Sequence, residues 1–62
     1  MQQLNSTTRM QICRLTVIRL CKELNLSVES ECIMRFQQPL DHLDLSQLER
    51  LKAVLQNRIA KS

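Results

Sequence analysis

Sixty-two residues, 44% apolar and 24% charged with a formal net charge of +3, allow one small domain whose core alone gives little stability. No stretch approaches the roughly 20 apolar residues of a membrane span, and a chain without glycine offers no loop to cradle a phosphate. The composition therefore points to a soluble cytoplasmic protein with no membrane segment, no catalytic site and no cofactor.

Met1 to Thr8 is polar, with Leu4 its only apolar side chain after the initiator, and reads as a flexible arm over residues 1–7. Ser6, Thr7 or Thr8 can cap a first helix, predicted over about 8–24. Its apolar residues Met10, Cys13, Val17, Leu20, Cys21 and Leu24 share one face at about 100° per residue. Ile12, Leu15 and Ile18 fall outside that face and ask for a second contact surface. A strand over Gln11–Leu20 is the competing reading, set aside because apolar positions do not alternate. Asn25 then supplies the left-handed residue that stops a helix in a chain without glycine, and Leu26 can pack back beneath it.

Ser27 caps a second helix predicted over 28–37, with Glu29 and Glu31 at its positive end and Glu31 four residues before Arg35. Val28, Cys32, Ile33 and Phe36 make its inner face, and Met34 points elsewhere. Pro39 forbids continuation. Leu40 and Leu43 then pin a turn to the core. Asp44 with Gln47, or Ser46 with Glu49, forms a capping box for a third helix predicted over 45–60. Leu45, Leu48, Leu51, Leu55 and Ile59 are its packing stripe, Lys52 snorkels beside it, and Arg50, Arg58 and Lys61 gather on the far side. The expected fold is all-α, a three-helix domain spanning 1–62 that forms a helical homodimer.

Cys13, Cys21 and Cys32 are odd in number and lack close pairing, so they read as buried thiols rather than disulfide or zinc ligands. His42, the single histidine, lies between Asp41 and Asp44 in a turn where capping is the simpler role. Met1–Lys22 has Arg, Ser and Thr without an acid, the composition of an organellar presequence, but its removal would delete the main helix.

The stretch Leu20–Phe36, LCKELNLSVESECIMRF, resembles the core of a helix-turn-helix DNA-binding motif. Cys21 matches its small packing residue, Asn25 its turn, and Leu26 with Ser27 the opening of the recognition helix. The resemblance implies a transcriptional regulator, with Arg9, Arg14, Arg35, Arg50, Arg58 and Lys61 as nucleic-acid contacts. The sequence departs from the motif at Glu31, where an acid takes the inward position, and Glu29 adds a second negative charge to a helix that would meet phosphates. The reading favoured by the residues themselves is a protein–protein interaction or regulatory module. Ile12, Leu15, Ile18 and Met34 exceed what three helices can cover, and a second copy is the simplest cover.

Overall fold

A computed structural model describes residues 5–62. It contains three α-helices, α1 (Ser6–Glu23), α2 (Val28–Phe36) and α3 (Leu45–Lys61), with a single 3-10 turn at Leu40–His42 and no strand among the described residues. The all-α, three-helix architecture is as expected from the sequence.

The first helix starts earlier than its hydroxyl residues suggest. Asn5 is the cap, its side-chain oxygen accepting from the Thr8 amide at 2.8 Å, so Ser6 and Thr7 belong to the first turn and not to a flexible arm. Asparagine outranks threonine as a cap and equals serine, and capping at Asn5 lets the helix begin one residue earlier than capping at Ser6 would. The other arm residues, 1–4, lie outside the described residues. At the far end the Asn25 amide donates to the Lys22 carbonyl at 3.1 Å and the Leu26 amide to the Cys21 carbonyl at 2.8 Å. With Asn25 at φ 61°, this pair of bonds is a Schellman stop. Leu26 packs against the core beneath it.

Ser27 caps α2 by accepting from the Ser30 amide at 3.3 Å. The helix ends one residue before the expected boundary, because Gln37 takes the left-handed conformation at φ 58°. Pro39 therefore follows the stop instead of causing it, and precedes the 3-10 turn. Asp44 and Gln47 form the capping box of α3, with reciprocal bonds of 2.8 and 3.0 Å.

The core is built by α1 against α3, the most extensive helix contact in the fold. Leu48, Leu51 and Leu55 are fully buried and meet Cys13, Val17, Leu20 and Cys21; Cys32 of α2 and Leu40 and Leu43 of the turn complete the cluster. The inner face of α2 differs from expectation. Ile33 is 51% exposed, and Glu31 is buried in its stead at 6%. The cause is a rotation of α2 that turns Val28, Glu31 and Cys32 inward at i, i+3 and i+4 spacing, while Arg35 stays exposed and reaches back to Glu31. Glu31 is held there by Arg35 at 3.4 Å and Arg58 at 3.7 Å.

Asn25 gives a direct test of the helix stop. Asn25→Ala is expected to lower the unfolding free energy by about 1 kcal/mol, because alanine lacks the short polar side chain whose local hydrogen bonding lets asparagine tolerate the left-handed conformation, whereas Asn25→Gly, with no Cβ, should keep or raise it. Equal urea midpoints for the two variants would contradict the assignment.

Candidate interaction surfaces

Among the described residues, five large apolar side chains are exposed, and all belong to α1 or α2: Ile12 (50%), Leu15 (66%), Ile18 (38%), Ile33 and Met34 (67%). On α1, at about 100° per residue, Leu15 lies opposite the face formed by Cys13, Val17, Leu20 and Cys21, with Ile12 and Ile18 on either side of it. The outward strip is thus three bulky side chains, bordered by Gln11, Arg19 and Lys22. The Ile12 edge meets α3 at a shallow depression of about 230 Å³ that also touches Thr16, Glu49 and Lys52. Arg9 closes this edge with an exposed ion pair to Glu49 at 3.3 Å. Arg14 is half-buried, and its Nε has no hydrogen-bond partner among the described residues.

Met34 lies apart from that strip. It lines a groove of about 550 Å³ between α2 and α3, together with Arg35, Phe36, Arg50, Leu51 and Val54 and no residue of α1. Phe36, expected in the inner face, packs half-buried against the core and also forms one wall of this groove.

The six basic residues suggested as nucleic-acid contacts do not form one surface. Arg9 is paired on one flank of α3, and Arg14 lies on α1. Arg35 and Arg58 converge on Glu31. Arg50, Arg58 and Lys61 fall within about 80° of arc on α3, beside the groove-lining Val54, by helical geometry. Arg50 and Lys61 have no ion-pair partner among the described residues. The (i, i+4) link from Glu31 to Arg35 is legible from spacing alone, whereas Arg58, 27 positions along, gives no local signal.

All three thiols are free and buried. Burial raises each above the ordinary value of 9.0, with opposing help from Lys52 and Arg9 at Cys13 and from Arg58 at Cys21, and reinforcement from Glu31 at Cys21 and Glu29 at Cys32. Neutral thiols packed in a core are poor nucleophiles and poor metal ligands. No cluster of three or more metal-ligating side chains exists among the described residues, and no described helix is long and apolar enough to cross a membrane. No protein-family model, curated protein or solved structure matches the chain.

The thiol environment fixes a pH response. A folded-state value above the unfolded one means the native state retains protons that the unfolded chain releases, so stability is intact below the ordinary value and is lost as pH rises through the raised ones. Labelling by a thiol reagent is expected to be slow at neutral pH for all three cysteines and to accelerate above about pH 9 as unfolding becomes easier. Rapid stoichiometric labelling of the folded protein at neutral pH would contradict the burial.

Proposed function

We propose that this chain is a small non-enzymatic protein–protein interaction or regulatory module that self-associates through the outward face of α1. The observation that carries the reading is that α1 is apolar on both sides. Its core face uses Cys13, Val17, Leu20 and Cys21, while Ile12, Leu15 and Ile18 are exposed on the opposite side. Exposed apolar area of this kind is costly in water and is recovered by docking.

A two-fold antiparallel pairing centred on Leu15 satisfies both the apolar and the charged residues of the strip. It sets Ile12 level with Ile18 of a second copy, and Arg19 and Lys22 level with Gln11 and Thr8. A parallel pairing would set each cation level with its own copy, which is unfavourable. Ile12 to Ile18 spans about 9 Å of helix at 1.5 Å per residue, a small contact that suits a concentration-dependent dimer rather than an obligate one.

A helix-turn-helix DNA-binding regulator is the second reading, favoured by the gathering of Arg50, Arg58 and Lys61 on one flank of α3. The outward side of α2, where a recognition helix would meet DNA, favours the first reading. It presents Glu29, Ser30, Ile33 and Met34, while Arg35 is drawn to Glu31.

Two measurements test these readings. Leu15→Glu is expected to leave the circular-dichroism spectrum unchanged and to shift the sedimentation coefficient to that of a 7.3 kDa monomer; a variant that sediments like the parent would remove the α1 interface. Anisotropy with mixed-sequence duplex DNA is expected to show no tight binding at low salt. Binding that weakens with log slope of about 0.9 per neutralised phosphate would instead establish the DNA reading.

A further inference from the structure

The groove between α2 and α3 has a chemistry of its own. Its floor is Leu51, fully buried, and its walls are Phe36 and Val54, each half-buried, with Met34 exposed at the lip. Arg35 and Arg50 complete the lining. Along α3 the positions Arg50, Val54, Arg58 and Lys61 recur at i, i+4, i+8 and i+11, which holds them in one stripe. Arg58 is fixed on the α2 side by its contact with Glu31. Arg50 and Lys61 project from the same stripe without an ion-pair partner among the described residues. The trough is therefore apolar at its base with Arg35 and Arg50 at its edges, and the stripe continues beyond it along α3 to Arg58 and Lys61.

We propose that this groove docks an acidic amphipathic helix from a partner protein. Apolar side chains at i, i+3 and i+7 of such a helix would fill the trough over Leu51, Val54 and Met34, as in other helix-in-groove complexes. Carboxylates on its flanks would meet Arg50 and Lys61, which lie about 16 Å apart along α3 at 1.5 Å per residue. The charge selects against a second copy of this chain as occupant, since the outward strip of α1 is bordered by Arg19 and Lys22. Phosphates would satisfy the cations but leave the apolar trough empty. Because no residue of α1 lines the groove, this inference is independent of the pairing proposed for that helix.

The test is a fluorescence-anisotropy titration of the full chain with a labelled synthetic peptide of about 18 residues, leucine at helical spacing and glutamate elsewhere. Saturable binding is expected, weakened about tenfold or more when the glutamates are replaced by glutamine or when the protein carries Arg50→Glu and Lys61→Glu together. Both substituted positions are exposed, so circular dichroism should be unchanged. Val54→Asp, which places a like charge in the trough, is expected to weaken binding to a similar extent. The Leu15→Glu variant is expected to bind as the parent does, so failure of the α1 dimer and failure of the groove give different results. The proposal is overturned by absence of binding, by equal binding of the glutamine peptide, or by displacement of the peptide by mixed-sequence duplex DNA at a lower concentration than unlabelled peptide requires.

Discussion

The packing of α1 on α3 is the contact from which the rest of the molecule follows. Three leucines of α3, Leu48, Leu51 and Leu55, are inaccessible to water, and the side of α1 that meets them is built largely from small apolar groups, Cys13, Val17 and Cys21, with Leu20 the larger exception. Small residues at a helix contact let the two backbones approach, since interaxial distance follows side-chain size. Leu20 and Met10 fill the rest of that side, and Ile12, Leu15 and Ile18 are left on the other. In a chain with few residues to spare for a core, leaving Ile12, Leu15 and Ile18 outside forfeits apolar burial that a solitary domain of this size could use. Under the proposed pairing, a second docking event on α1 recovers it.

Glu31 sets the orientation of the remaining helix. An ionised carboxylate this far from water is costly unless it is compensated, and Arg35 from the next turn and Arg58 from α3 both approach the same oxygen, Oε1. This constraint, more than apolar content, decides which side of α2 faces inward, because an all-apolar choice would have turned Ile33 to the core. By taking the inward place, Glu31 leaves Ile33 exposed and holds Arg58 of α3 against α2. One buried acid thus ties the orientation of α2 to a cation of α3.

Much of the fold was legible because it is written in local chemistry. Asn25 with Leu26, Ser27, and the Asp44–Gln47 pair each specify a helix end through bonds spanning at most five residues, and the leucine spacing of α3 identifies its buried stripe directly. The misplaced details arise where two local signals compete or where the deciding contact is distant in sequence. Asn5 wins over three neighbouring hydroxyl residues as a cap, and Gln37 stops α2 before Pro39 can. Ile33 and Glu31 exchange places because Arg58 arrives from another helix. The strip of Ile12, Leu15 and Ile18 followed from helical periodicity. Separating Met34 from it, and gathering Arg50, Arg58 and Lys61 beside a groove, required the tertiary arrangement of α2 against α3.

If docking of α1 on a second copy recovers apolar burial that the isolated domain lacks, the folded state is linked to protein concentration by mass action. Thermal unfolding of the unmodified chain from about 5 to about 500 µM tests this linkage most directly. The expected result is a melting temperature that climbs steadily over that range. A melting temperature independent of concentration, with a mass of 7.3 kDa throughout, would contradict the account and leave α1 with an uncovered outer face.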